Sequence, residues 1–224
     1  MIKQLSQNLT ISDSKRAFNK AFPYVIPAVY RRISDELLVE LHLLSHQKTF
    51  RIDSLFSLGL KALFDSFTEG YQPAHHGQML FEAICSSNGY DPIKISEQAE
   101  NLKEAMSNIT FDELQEYLTT KKDSAPNSIK TCLSEIQNKN IHYSRIHAVG
   151  IITILRYIKG LDENISDDLC SKCLDISEKI GLRKDRVEKD ITLYKSTLEK
   201  LSQALDLIKE SIQRERKKRD ESNK

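Results

Sequence analysis

Apolar residues recur along the chain at intervals of three and four, and this spacing is typical of amphipathic helices. Residues that start and stop helices separate the apolar stretches. Ser12 can cap a first helix, and Pro27 suits the first turn of a helix over 28–47. Asp53 can cap a third helix, which ends at Gly70. No segment shows the strict alternation that is typical of a β-strand.

Residues that start and stop helices recur through the rest of the chain. Asp91 and Pro92 mark another helix start, and Thr110 with Glu113 forms a capping box for a short helix. Lys121–Asn127 is the most loop-like interior stretch. Other helices are predicted over 78–88, 128–137, 143–159, 166–180 and 183–219. The predicted fold class is therefore all-α, a multi-helix bundle with a long C-terminal coiled-coil-like helix.

Two of the predicted helices stand out by their apolar pattern. Residues 146–158 are apolar on nearly every face, which predicts a helix buried at the centre of the domain. Gly150 inside this helix predicts a close approach of a neighbouring helix.

The last helix carries an unbroken heptad stripe for about four repeats. Its positions are Val187, Ile191, Tyr194, Leu198, Leu201, Leu205, Ile208 and Ile212. At about 1.5 Å per residue, a helix over 183–219 extends about 55 Å and exceeds a compact domain of this size. We expect part of it to protrude, and either to pair with another chain or to fold back on its own bundle. The pattern leaves the oligomeric state open.

Length and composition agree with one helical domain and an extension. The chain has 224 residues, no tryptophan, seven glycines and five prolines, a balance that favours helices. We predict a flexible N-terminus over 1–11, a helical bundle over 12–181, the long helix over 182–220 and a disordered tail over 221–224. The formal net charge is +1, so overall charge indicates no partner.

Targeting and membrane signals are weak in this sequence. The four cysteines are too sparse for a secreted disulfide scaffold of this length. The N-terminus lacks the apolar core of a secretory signal. No apolar run reaches the roughly 20 residues that span a bilayer. We expect a soluble protein, or one that sits on a membrane without crossing it.

Carboxylates and histidines in 30–47 raise the possibility of a metal site. On a helical wheel, the apolar residues of this segment fall on one side, whereas Asp35, His42 and His46 fall opposite them. Ligands in a helix bundle have to point into the core. We therefore predict a polar outer face here, and a metal-dependent helical enzyme is the less favoured alternative.

Other candidate chemistry is equally limited. Cys170 and Cys173 have the CxxC spacing of redox and zinc sites, but a helix capped at Ser166 places them a full turn inside, where small half-buried residues are expected. No phosphate loop, dinucleotide fingerprint or catalytic triad pattern is found. The sequence predicts no catalytic residue, no cofactor and no metal.

One dense basic cluster lies at the end of the long helix. It consists of Arg214, Arg216, Lys217, Lys218 and Arg219. Such a cluster is either a solvated helix end or a contact for a polyanion, such as anionic lipid or nucleic acid. A coiled-coil protein that binds nucleic acid through this tip is the alternative function. No aromatic residues interleave the cations, which disfavours single-stranded nucleic acid.

Several segments resemble the thylakoid formation protein family, the photosystem II biogenesis factors of cyanobacteria and plastids. The resemblance lies in SDSKRAF (12–18), in YRRISDELLVELHLLSHQKTFRIDSLFSLGLKALFDSFTEGYQP (30–73), and in Tyr143-Ser144-Arg145 with Gly150. The basic terminal helix is similar as well. The resemblance covers about Ser12 to Asp220.

The resemblance implies a non-enzymatic, all-helical factor for photosystem II biogenesis and repair and for thylakoid membrane organisation. It implies binding and support of the thylakoid FtsH protease complex. Photosystem II subunits and an anionic lipid surface are further expected partners, and nucleic acid is not. The implied location is the cyanobacterial cytoplasm, on the cytoplasmic face of thylakoid membranes, to which the protein binds peripherally.

Overall fold

A computed structural model describes residues 9–136, 142–161 and 164–222, apart from the side chains of residues 122 and 218–222. Over these ranges the chain forms ten α-helices, a 3₁₀ turn at Lys122–Ser124 and no β-strand. The helices are α1 (Ile11–Ala21), α2 (Ala28–Ser45), α3 (Ser54–Phe67), α4 (Ala74–Ser86), α5 (Pro92–Ser107), α6 (Phe111–Thr119), α7 (Asn127–Ile136), α8 (Arg145–Tyr157), α9 (Asp167–Lys179) and α10 (Lys184–Ser222). The predicted all-α class with a long C-terminal helix is confirmed.

Several of the predicted helix starts coincide with the observed caps. The side chain of Asp53 accepts a hydrogen bond from the backbone N–H of Phe56 at 2.7 Å. Asp91 caps α5 with Pro92 in its first turn, and Thr110 forms the predicted capping box. Each bonded cap satisfies backbone donors that the helix itself leaves free.

Some predicted boundaries are wrong. The N-cap of α1 is Thr10, which forms a capping box with Asp13, so Ser12 lies inside the helix. Pro27 occupies the N-cap position of α2 rather than its first turn. Helix α4 starts at Ala74, four residues before the predicted start. Helix α10 continues through Ser222, into the predicted disordered tail. Residues 1–8, 137 and 223–224, on which other parts of these predictions fall, lie outside the described residues.

Helix α8 forms the centre of the fold, as its apolar pattern predicts. Every residue from Ile146 to Leu155 is buried. Helices α3, α5, α9 and α10 all pack against it. A helix that is apolar on all faces is stable in water only when neighbours cover every face.

The closest of these contacts joins α8 to α3 through two glycines. A β-carbon at Gly59 would lie 2.8 Å from the backbone nitrogen of Gly150, and closer still to the carbonyl oxygen of Ile146. A β-carbon at Gly150 would overlap the carbonyl oxygen of Leu55 in the same way. The two backbones therefore touch directly, which confirms the close approach predicted at Gly150.

A buried histidine joins the N-terminal ends of the same two helices. His147 accepts a hydrogen bond from the backbone N–H of Ser144 at its Nδ1, at 3.1 Å. Its Nε2 lies 3.1 Å from the Oδ2 of Asp53. Because Nδ1 is an acceptor, the proton of a neutral ring is on Nε2 and is donated to Asp53.

We predict that Gly150→Ala lowers the free energy of unfolding by about 1–3 kcal/mol, because the new methyl group overlaps backbone atoms of α3. The matched control is Gly77→Ala in α4, where a β-carbon meets no atom within 4 Å. That change should be neutral or stabilise the protein by up to about 1 kcal/mol through helix propensity. Urea unfolding followed by circular dichroism measures both. Equal stability of the two variants would contradict the glycine contact.

Candidate interaction surface

The apolar stripe of α10 is divided between the core and solvent. Its first part is buried, with Val187, Ile191, Tyr194 and Leu201 at 0–7% exposure. Leu198 and Leu205 are half-buried against the same core. By contrast, Ile208 and Ile212 at the end of the stripe are 44% and 45% exposed. The predicted protrusion is confirmed, and the inner half of the stripe folds back on its own bundle.

The outer half of α10 extends away from the other helices. Every side chain from Asp206 to Lys217 is exposed, including Leu207 at 68%. At about 1.5 Å per residue, the segment from Asp206 to Ser222 is about 25 Å long. This segment presents apolar residues to solvent without any contact from the body that would explain them.

The predicted basic cluster occupies this outer half. Arg214, Arg216 and Lys217 are exposed. The guanidinium of Arg214 lies 3.3 Å from the carboxylate of Glu210 one turn earlier, and both side chains are largely solvated. The side chains of Lys218 and Arg219 lie outside the described residues. Such a solvated pair stabilises the helix only slightly, so the cations remain able to contact an anionic surface.

A groove separates α2 from the inner half of α10. It has a volume of about 1280 Å³ and is open to solvent. One wall is formed by side chains from residues 28–47 and the other by side chains from residues 186–204, and residues 142–145 also line the groove. Two exposed leucines line it, Leu43 at 58% on α2 and Leu193 at 50% on α10.

The polar groups deep in the groove already bind one another. Arg145 forms an ion pair with Glu40 at 2.7 Å, in which the Glu40 side chain is only 16% exposed. The hydroxyl of Tyr143 donates to Asp190 at 2.7 Å, and Arg186 lies 4.9 Å above the Tyr143 ring. Burial, and then the bond to Asp190, raise the pKa of Tyr143 well above its usual range.

The histidine pair of α2 is arranged differently from the prediction. His42 is buried, at 8% exposure, because α1 covers it. Its Nδ1 lies 2.9 Å from the hydroxyl of Ser14, and its ring lies 4.3 Å from that of His46. The prediction that His42 belongs to a solvated outer face is therefore wrong, whereas Asp35 is exposed as expected.

No metal-binding cluster is present in the described part of the chain: nowhere in it do three or more histidine, cysteine or acidic side chains converge. Cys173 is buried and Cys170 half-buried, one turn inside a helix that Ser166 caps, as predicted. Burial raises the pKa of both thiols, so they are protonated at neutral pH. None of the helices within the described ranges is both long enough and apolar enough to cross a membrane.

The groove is a feature that the sequence did not reveal. Leu43 and Leu193 are single leucines on the polar sides of their helices, and such leucines are common on protein surfaces. The groove becomes recognisable only when the two leucines are seen to lie close together in space, and their positions depend on how α2 and α10 pack.

Together, the fold and these surfaces define an all-α protein with an open groove between two helices and a projecting amphipathic helix. The model of the thylakoid formation protein family matches residues 10–223. The chain belongs to the thylakoid formation protein family, as its sequence resemblance predicts.

Similar proteins support this assignment along nearly the whole chain. Protein Thf1 of Prochlorococcus marinus strain MIT 9313 is 43% identical over 97% of this chain and 90% of its own length. Protein Thf1 of strain NATL1A is 45% identical over 91% of this chain and 96% of its own. A solved structure of Psb29 superposes with a TM-score of 0.82 at 33% identity, and covers 94% of this chain and 98% of that one.

We predict that the protein becomes less stable as the pH is lowered, because His42 is then protonated. Burial, and then the neighbouring His46, lower the pKa of His42 below its usual 6.5. The unfolded chain then binds more protons than the folded one below about pH 6.5. The free energy of unfolding should therefore decrease as the pH falls from about 6.5 towards the lower folded-state pKa.

Urea unfolding at several pH values tests this, with His42→Asn as the variant. An asparagine can keep the bond to Ser14 but does not titrate. The stability of the His42→Asn variant should therefore depend less on pH than that of the native chain. The control is His75→Asn at the exposed start of α4. The role of His42 is refuted if all three proteins lose stability equally with falling pH.

Proposed function

We propose that this protein is a non-enzymatic factor for photosystem II biogenesis and repair and for thylakoid membrane organisation. It acts by binding and supporting the thylakoid FtsH protease complex at the cytoplasmic face of the membrane. Family membership supports the thylakoid role. The observation that carries the binding role is the apolar stripe of α10, which leaves the body and continues as the exposed Ile208 and Ile212.

The geometry of α10 suits a helix that docks on a partner. The inner half of α10 is fixed in the core by Val187, Ile191 and Tyr194. The outer half continues the same helix, so its apolar residues follow the register that the core sets. Binding of a partner helix would bury Ile208 and Ile212 at about 25 cal/mol per Å² of apolar surface. A helix that is formed before binding also loses less conformational entropy on docking.

The basic residues give the same segment a second contact. Arg214, Arg216 and Lys217 project from the outer half of α10. Cations near an anionic lipid surface contribute about 1 kcal/mol each, within a Debye length of the headgroups. Docking of the stripe on the protease and approach of the cations to the lipid would hold the protein at the membrane without a spanning segment.

A pull-down from cyanobacterial thylakoid extract tests the docking role. We expect that the full chain retrieves FtsH subunits and that a chain ending at Asp206 retrieves markedly fewer, as does Ile208→Asp with Ile212→Asp. The cut has to follow Asp206, because a cut at Gly181 would remove four buried α10 residues from the core. Such a loss creates cavities that cost several kcal/mol.

The control for these variants is Ile93→Asp on α5, which alters an apolar residue of 69% exposure far from α10 in sequence. It should retrieve as much protease as the native chain. Equal retrieval by all chains would place the contact on the body. If the full chain retrieves none, the proposed function is wrong.

The lipid contact makes a separate prediction. Arg216→Gln with Lys217→Gln should weaken binding to phosphatidylglycerol vesicles by about fivefold per cation removed, which corresponds to about 1 kcal/mol each. Sedimentation with the vesicles measures this. Binding should also weaken as salt rises. The charge-preserving control, Arg216→Lys, should bind like the native chain. Salt-independent binding would rule out the electrostatic contact.

A further inference from the structure

The groove between α2 and α10 is a second unpartnered surface, distinct from the stripe. Leu43 and Leu193 project into it from opposite walls, each at least half exposed. Val39 of α2 and Ala204 of α10 add apolar lining. Apolar side chains that face each other across a solvent-filled groove gain free energy when an occupant removes them from water.

The carboxylates Glu40 and Asp190 in the groove need no hydrogen-bond partner from an occupant. Glu40 is held by Arg145, and Asp190 is held by Tyr143, at distances of 2.7 Å in both pairs. These half-buried carboxylates already have partners inside the groove before anything binds, so an occupant need not supply partners for them. An apolar face is therefore the surface that fits the interior of this groove.

The shape of the groove matches a helix. Helix α2 has 18 residues, and the α10 wall spans a similar stretch, residues 186–204. At about 1.5 Å per residue, both walls are about 27 Å long, or five helical turns. Two helix walls with an open groove between them are the kind of surface into which a third helix packs. A flat bilayer surface cannot enter such a concave seam.

The charge on the α10 rim restricts the partner. Arg186 and Lys200 are both exposed and line the groove, seven residues before and after Leu193 on the same side of α10. The rim beside the apolar lining is therefore basic. A helix with acidic side chains along this edge would be attracted and held in register.

A second copy of this chain is a poor occupant by the same argument. The free apolar helix that a second copy offers is the outer half of its own α10. Residues 206–217 carry four cations, Lys209, Arg214, Arg216 and Lys217, against three acidic residues, so their net charge has the same sign as Lys200. Insertion would bring like charges together, which opposes association.

We infer that the groove between α2 and α10 is the receptor for one amphipathic helix of a partner protein, apolar where it meets Leu43 and Leu193 and acidic where it meets Lys200. This inference rests on the proposed function in that the partner is a thylakoid membrane protein. It adds a second contact surface, on the body, beside the projecting stripe.

Photo-cross-linking tests the inference with the full chain. A benzophenone amino acid replaces Leu43 in one protein, Leu193 in a second and Ile93 in a control, all three positions being exposed. Each protein is irradiated with detergent-solubilised cyanobacterial thylakoid membranes, and the cross-linked peptides are identified by mass spectrometry. We expect that positions 43 and 193 mark the same segment of one protein, with an apolar helical stripe and an acidic edge. Position 93 should not mark it.

Charge reversal tests the register. Lys200→Glu should lower the cross-linking yield at position 193 by about fivefold or more, since an attractive rim contact becomes repulsive. Lys94→Glu, an exposed position on α5, is the matched control and should leave the yield unchanged. The inference is overturned if the cross-links reach lipid, pigment, a second copy of this chain or unrelated peptides, or if positions 43 and 193 give no cross-link at all.

The same samples separate this inference from the proposed function. If FtsH subunits copurify with the chain but the groove positions mark no common helix, the function stands and the groove inference fails. If the groove positions mark one acidic helix but no FtsH subunit is present, the groove is a receptor and the proposed protease partner is wrong.

Discussion

The direct backbone contact of α3 and α8 at Gly59 and Gly150 is the constraint on which the rest of the fold depends. With side chains absent at the crossing, the helices approach closely enough for the residues on either side to be fully buried. The contact also aligns the starts of the two helices. That alignment places His147 within hydrogen-bond distance of Asp53, so that one buried ring joins the caps of both helices. A packing contact thus determines a polar network.

The same central helix explains why α10 is buried at one end and exposed at the other. Because α8 is apolar on all sides, α3 alone cannot cover it, and α5, α9 and α10 complete the shell. The stripe of α10 is buried where α8 and its neighbours are available to meet it. Beyond Leu205 the body no longer covers the helix, so Ile208 and Ile212 reach solvent without a change in the sequence pattern. The boundary lies where the covering helices end.

Local signals were predictable from the sequence, and tertiary placement was not. Asp91 and Thr110 act through residues within one helical turn, so their roles can be identified without the fold. The wheel placed His42 opposite the main apolar side of α2, but it could not show that α1 covers that side and brings Ser14 to the ring. In the same way, no local pattern joins Leu43 to Leu193. Both features depend on how helices far apart in sequence come together.

The heptad stripe shows why one pattern can serve two purposes. Its period fixes which side of α10 is apolar, but period alone does not say whether that side meets its own core or another protein. The two halves are nevertheless coupled, because starting a helix is costly whereas extending one is not. Burial of Val187, Ile191 and Tyr194 fixes the start, and the outer half grows from it. A core substitution in the inner half can thus weaken the proposed docking at Ile208 without touching a partner, since it destabilises the part of the helix on which the exposed segment depends.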